Sequence, residues 1–345
     1  MNQQLQVAIL GGGRIAYVHA KAITFHVPNA QVKWIYDPYL NPTTQARFTE
    51  LGINHFTKTL TDVLADPEVD VVYICTPTPT HADYAIQALD AQKHVFCEKP
   101  ISFDLATINL VQAAIIRNQK KFMVGHNRRF DHNFQAVKQA LNEEVIGSVF
   151  QIKITSRDPG LPPLEYLVAS GNLFYDMMIH DLDMARFLSP SPITKVFAYG
   201  AGLVNPELVK QVNDLDSAVV VLICENQSMI IIDNCRQASY GYDQRVEILG
   251  ATGQLQIGND HPNTLVVSSA TGINHPKPLH FFLERYMQAY IAESISFFAA
   301  ITHDQTPAVT VNDGFSAILL AAAATLSWQE NRVVELKELS PSWKQ

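Results

Sequence analysis

Cysteine is scarce in this chain: Cys75, Cys97, Cys224 and Cys235, none of them in a Cys-x-x-Cys pair. The first three sit inside apolar runs that read as strands. Buried free thiols in a reducing compartment are therefore expected, rather than disulfides or metal ligands. Long basic runs are also missing. Lys120-Lys121 and Arg128-Arg129 are only pairs, and 25 basic against 33 acidic residues leave a formal net charge of −8. Nucleic acid is excluded as a partner, because phosphate binding needs clustered Lys and Arg. The longest uncharged stretch late in the chain, 314–329, falls short of the roughly 20 apolar residues of a membrane helix. No basic segment precedes the first apolar run, so no signal peptide is expected and the cytoplasm is the expected location. Gly and Pro, at 16 and 18, are too few for collagen-like or low-complexity sequence. Charged residues are only 17% and hydrophobic residues 47%, which excludes a disordered chain. What remains is a globular protein. Its 345 residues exceed the roughly 250–300 at which single cores stop growing, so two domains are expected.

The first 125 residues alternate short apolar runs at 6–10, 32–37, 69–75, 94–97 and 122–125 with helical patterns at 15–25, 42–51, 80–91 and 105–118. Runs apolar nearly throughout suit parallel strands buried on both faces, and the alternation implies an α/β, doubly wound parallel sheet. After about residue 128 the pattern changes. A helix at 133–142, a strand at 148–156 and a helix at 173–188 lead into strand-like runs at 195–200, 217–224, 228–234, 244–249, 253–257 and 264–268. Consecutive strands with turns such as Glu225-Asn226-Gln227 suggest a mostly antiparallel sheet. Helices at 280–301 and 313–329 close the chain. The expected division is 1–127 and 128–345, an α+β second domain, with the last helix packing back on the first.

The loop Gly11-Gly12-Gly13-Arg14-Ile15-Ala16 is a G-x-G-x-x-A pattern between a predicted strand and a helix. Gly11 permits the tight turn, Gly13 a close approach of pyrophosphate, and Ala16 close packing, with the phosphates on the helix N-terminus. Asp37, 21 positions after Ala16, suits a ribose 2′-hydroxyl and repels a 2′-phosphate. No adjacent Arg is present to hold that phosphate, so NAD is expected over NADP. Thr76, Thr78 and His81 follow the third run and Lys99 the fourth, outside the carboxyl ends of strands, where ligands of open α/β sheets bind. Thr80 is a candidate helix cap. Asp176 and His180, at i and i+4, share a helix face, and a carboxylate there can support an imidazolium. Asp181 and Asp183 read as structural or capping residues. No metal-ligand spacing is present.

GGGRIA, Asp37, CTPTPTH, CEKP and the D-x-x-x-H of the long helix occur in an order that resembles the Gfo/Idh/MocA oxidoreductases over essentially the whole chain. In the second half, Ser156-Arg157-Asp158-Pro159, the stretch from Asp176 to Phe187, Tyr240-Gly241-Tyr242-Asp243-Gln244-Arg245 and Phe282-Leu283-Glu284-Arg285-Tyr286 look like its inositol-oxidising members. The resemblance implies a Rossmann domain joined to an α+β domain with an open sheet. It implies NAD-dependent oxidation of a ring hydroxyl of a cyclic polyol, myo-inositol or a related inositol, to the ketone. It further implies a catalytic trio of Lys99, Asp176 and His180 meeting at a cleft. The implied cofactor contacts are Gly11, Gly13, Arg14, Ile15, Asp37, Thr76, Thr78, His81, Glu98, Lys99 and Asn127. Arg129, Asp158, Tyr242 and Tyr286 are implied to line the polyol site. A sugar dehydrogenase and a non-enzymatic NAD-binding sensor remain as alternatives. Ala16 in place of the usual third glycine is harmless, whereas Asn172, where glycine is common, leaves substrate identity open. Val219, Val221 and Ile223 alternate with Ala218, Val220 and Leu222, so both faces of one strand are apolar. A homodimer or homotetramer is expected from that surface and from the resemblance.

Overall fold

A computed structural model describes residues 4–340 of the chain. The early apolar runs form strands β1 (Leu5–Leu10), β2 (Ala30–Tyr36), β3 (His55–Thr57), β4 (Val69–Ile74), β5 (His94–Glu98) and β6 (Phe122–Gly125). They lie in the order β3-β2-β1-β4-β5-β6, and every pairing is parallel. This is the Rossmann order, with the chain reversing direction across the sheet between β1 and β4. Helices α1 (Arg14–His26), α2 (Pro42–Thr49), α3 (Leu60–Leu64), α4 (His81–Asp90) and α5 (Leu105–Asn118) make the crossovers that parallel strands require. Their starts are written in the sequence. Asn41 accepts the Thr44 N–H and is followed by Pro42, and Asp104 accepts the Thr107 N–H.

The next elements are α6 (His132–Asn142), β7 (Val149–Arg157), α7 (Leu164–Ala169), α8 (Leu173–Asp176), α9 (Ile179–Leu188), β8 (Ile193–Ala201) and α10 (Pro206–Gln211). They are followed by β9 (Ser217–Cys224), β10 (Met229–Cys235), β11 (Asp243–Gly250), β12 (Gln254–Ile257), β13 (Val267–Ser269), β14 (Gly272–Asn274) and α11 (Phe282–Arg285). Helices α12 (Met287–Thr302) and α13 (Val311–Glu330), strand β15 (Val334–Glu335) and helix α14 (Leu336–Leu339) complete the described chain. The second sheet runs β12-β11-β7-β10-β9-β8-β15. Only β7 and β10 pair in parallel; the other neighbours are antiparallel. The run expected at 264–268 lies outside this sheet, in the separate exposed hairpin β13–β14.

The period of two sets which face of the second sheet is covered. Ala198, Val220, Ile232, Ile154 and Val246 stand opposite one another in one buried row. On the other face Tyr199, Val219, Met229 and Leu249 are exposed. Two compact units result: Met1–Phe130 with Met287–Ile318, and Asp131–Tyr286 with Leu319–Gln345. In the first, α12 packs along α1. Tyr73 stacks on Phe96 at 4.5 Å between ring centres there, with His19 edge-on to Phe96 at 4.9 Å. Cys75, Cys97 and Cys224 are buried free thiols, and Cys235 is free and half-buried. Among the described residues no helix is long and apolar enough to cross a membrane.

Candidate active site

The glycine loop begins where β1 ends. Gly11 has φ +108°, and a Cβ there would come within 2.7 Å of the Cys75 carbonyl oxygen, so glycine is required. At Gly13 a Cβ would meet nothing within 4 Å. The loop is thus closed against the protein at Gly11 and open to a ligand at Gly13. Helix α1 starts at Arg14 with Gly13 as a cap residue that has no side chain, so its positive end is left for an anion. Arg14 is exposed, Ile15 half-buried and Ala16 fully buried against the sheet. Asp37 lies just past β2. Its Oδ2 accepts the Gly12 N–H at 2.7 Å and its Oδ1 the Tyr39 N–H at 2.7 Å. A carboxylate has lone pairs beyond these two, so it can still accept from a ribose. These residues fit a dinucleotide. Arg47, missed in the sequence, also reaches the loop: its Nη2 donates to the carbonyls of Gly12 at 2.8 Å and Gly13 at 3.1 Å.

Past β4 and β5 the other candidates split into those facing out and those facing in. Thr76 and Thr78 are half-buried. Thr80 does not cap α4 with its side chain; its hydroxyl donates instead to Thr76 Oγ1 at 2.7 Å and to the Pro77 carbonyl. His81 is buried, with Nε2 at 2.6 Å from the Thr76 carbonyl and Nδ1 at 2.7 Å from that of Pro100. Burial holds its pKa below the ordinary value, against the pull of the two carbonyls. It braces the loop after β4 against the one after β5. Glu98 points inward: Oε1 lies 2.7 Å from Nε2 of buried His19, and Oε2 accepts the Lys99 N–H at 3.2 Å. The Lys99 side chain is half-buried. Asn127 and Arg129 are buried in the turn after β6, and Arg129 pairs with Asp313 at 3.0 Å.

In the second unit the helix expected at 173–188 is interrupted. Met177 and Met178 separate α8 from α9, and the Leu173 carbonyl accepts from both Met177 N at 3.1 Å and Met178 N at 2.9 Å. The second bond spans five residues, the mark of a π-type turn. Asp176 and His180 thus stand on either side of this turn, at the end of α8 and the start of α9. Asp176 is buried, with Oδ1 accepting the Tyr166 hydroxyl at 2.8 Å and Oδ2 accepting Arg236 Nη1 at 3.0 Å. Burial and the neighbouring carboxylate push the Tyr166 hydroxyl well up, so it remains a donor. Arg236 also lies 3.7 Å from Asp214, whose carboxyl burial raises above its usual range against the pull of Arg236. His180 is half-buried. Asn172 caps α8 by accepting the Phe174 N–H at a negative φ, so glycine is not needed there.

The other sequence motifs of this unit largely brace it. Ser156 Oγ lies 2.5 Å from Asp181 Oδ1 and 2.9 Å from Gln244 Oε1, and Asn234 donates to Asp181 Oδ2 at 3.0 Å. Asp181 is fully buried, as a structural residue should be. Arg157 pairs with Asp233. Asp243 gathers Tyr240, Arg245 and Asn259. Arg285 clamps Asp131 with two nitrogens. Asp158 is half-buried, and its charge is felt by Arg236. Tyr242 and Tyr286 are buried edge-to-face at 6.0 Å. Tyr166 and Arg236 were missed because one follows a Pro-rich stretch without periodicity and the other is a lone Arg past a strand.

Residues 5–126 match the family described as "Oxidoreductase family, NAD-binding Rossmann fold", and residues 138–336 match its "C-terminal alpha/beta domain". The chain is 42% identical to "Uncharacterized oxidoreductase YrbE" of Bacillus subtilis (strain 168), over 95% of each chain. It is 38% identical to "Myo-inositol 2-dehydrogenase" of Thermotoga maritima, over 97% of this chain and 99% of the other. Among solved structures it is similar to scyllo-inositol dehydrogenase from Lactobacillus casei with bound NAD(H) and scyllo-inositol. The TM-score is 0.88 and the identity 29%, over 97% of this chain and 99% of that one.

Proposed function

This chain belongs to the Gfo/Idh/MocA family of NAD-binding oxidoreductases, and on that premise we propose that it oxidises a ring secondary hydroxyl of an inositol to the ketone. The observation that carries this reading is the end-to-end likeness, at 38% identity, to a protein named myo-inositol 2-dehydrogenase. The glycine loop of Gly11 and Gly13, open at Gly13, with Arg14, Ile15, Asp37, Thr76, Thr78 and Asn127, is the proposed seat of NAD. When bound, NAD supplies the acceptor for the hydride that leaves the ring carbon.

The protein's own part is proton transfer and charge. Lys99 donates a hydrogen bond to the reacting oxygen and stabilises its developing negative charge. His180 takes the hydroxyl proton as general base, so the C–O bond becomes C=O as the ring C–H is lost. Asp176, fixed by Tyr166 and Arg236, supplies the negative charge that favours the imidazolium. Glu98 and His81 are proposed to act by position: Glu98 holds the Lys99 backbone, and His81 ties the two loops together. Arg129, Asp158, Tyr242 and Tyr286 are proposed to face the polyol.

The protein is further proposed to be a cytoplasmic homodimer or homotetramer. Its four free thiols suit a reducing compartment. The open face of the second sheet carries Tyr199, Val219, Met229 and Leu249, apolar surface of the kind that partners cover. Reduction of NAD with a panel of inositols, glucose and anhydrosugars tests the reading. Turnover on an inositol above all others is expected, and turnover on sugars alone would contradict it.

A further inference from the structure

Arg47 is a cation without an anion. Its Nη2 serves the Gly12 and Gly13 carbonyls, and its guanidinium lies 4.8 Å from the centre of the Tyr17 ring and 5.4 Å from that of Phe48. Among the described residues no carboxylate pairs with it. Its Nε is buried without a hydrogen bond, and Nη1 makes none. Asp37 holds the other end of the same glycine, taking the Gly12 N–H at 2.7 Å. A carboxylate and a guanidinium therefore grip the N and O of one residue, only a few ångströms apart, with no ion pair joining them.

We infer that Arg47 is a latent anchor for the 2′-phosphate of NADP, and that Asp37 alone bars that phosphate. The inference rests on the NAD-binding reading above but not on the identity of the polyol. In the wild type Arg47 stiffens the loop through charge-assisted bonds to two successive carbonyls. A 2′-phosphate at this end of the loop would face the Asp37 carboxylate first and be repelled. With that charge removed, the same phosphate meets a guanidinium already fixed in place, with Nη1 unused. An Arg introduced next to Asp37 is then unnecessary.

Fluorescence titration with NADH and NADPH tests this without turnover. The proteins are the wild type, Asp37→Asn, Asp37→Ser, and Asp37→Asn combined with Arg47→Gln. Asp37→Asn keeps an oxygen for one of the two backbone N–H groups. The wild type is expected to favour NADH. Asp37→Asn and Asp37→Ser are expected to improve NADPH affinity relative to NADH by about tenfold or more, and Arg47→Gln to remove about that factor again. No gain in either Asp37 variant overturns the inference. So does a gain that survives Arg47→Gln, or an Arg47→Gln that weakens both cofactors equally. Binding of neither cofactor by the wild type would instead overturn the NAD reading, and this inference with it.

Discussion

Replacing Arg236 with Met takes the cation out of a buried cluster and leaves two carboxylates. Arg236 is 1% exposed and lies 3.0 Å from Asp176 and 3.7 Å from Asp214, both of which are buried. Removing one partner of a buried ion pair typically costs about 3–5 kcal/mol, because the remaining charge has neither partner nor water. The loss should depend on pH in a fixed direction. The Asp214 carboxyl already sits above its usual range through burial, and Arg236 is what pulls it down. Without Arg236 it rises further. A carboxyl raised in the folded state contributes stability below its unfolded pKa, and that contribution is lost as pH rises through the folded value. The deficit of Arg236→Met should therefore be smallest near about pH 5 and largest near about pH 8. Urea unfolding at both pH values measures it, and Arg236→Lys, which keeps the charge, should lose less. The rate constant kcat should fall as well, since Asp176 loses the Arg236 bond that fixes it. A deficit below about 1 kcal/mol at pH 8, or one that grows on acidification, would refute the reasoning.

Gly13→Ala should leave thermal stability nearly unchanged, because its Cβ meets nothing, yet weaken NAD binding; Gly11→Ala, 2.7 Å from a carbonyl oxygen at φ +108°, should lose both. Equal effects on melting would contradict the loop reading. His94 accepts the Lys121 N–H on Nδ1, and burial, then Lys120 and Lys121, lower its pKa from 6.5 to about 4. Its folded pKa is depressed, so its contribution is complete above 6.5 and lost as pH falls through 4. That loss is up to about 2 kcal/mol after solvent screening, and His94→Asn, which keeps an acceptor, should flatten it in melts against pH. Lys99→Ala and His180→Ala should each lower kcat by about 10²–10⁴, with NAD affinity little changed for His180→Ala. A His180→Ala enzyme with near wild-type kcat on its best polyol would remove the general base from the account. Light scattering at micromolar concentration should give a multiple of the chain mass; a monomer would refute the assembly proposed.

The first sheet was legible because parallel strands buried on both faces are apolar throughout, as in Val7–Leu10 and Val71–Ile74. The turn Glu225-Asn226-Gln227 between two apolar runs likewise announced the antiparallel pairing of β9 and β10. Short elements were not legible. The three residues of β3 and the six of α7 are too few to carry a period. The break at Met177–Met178 escaped because spacing counts residues and not hydrogen bonds. The glycine loop and Asp37 could be read from local order. Their neighbour Arg47 could not, since helix α2 brings it to the loop from ten residues beyond Asp37. Glu98, a cofactor contact implied by the resemblance, turns its carboxylate to buried His19, a pairing across 79 residues that local sequence does not show. Tyr166 and Arg236 converge on Asp176 only through tertiary structure.

The central claim is that hydrogen passes directly from an inositol ring carbon to NAD. The protein, NAD and myo-inositol deuterated at its ring C–H positions, with the reduced cofactor analysed by mass spectrometry, test this most directly. One deuterium in each NADH, in step with ketone formed, is the predicted result. Unlabelled NADH, or no reduction of NAD with any inositol, would contradict it.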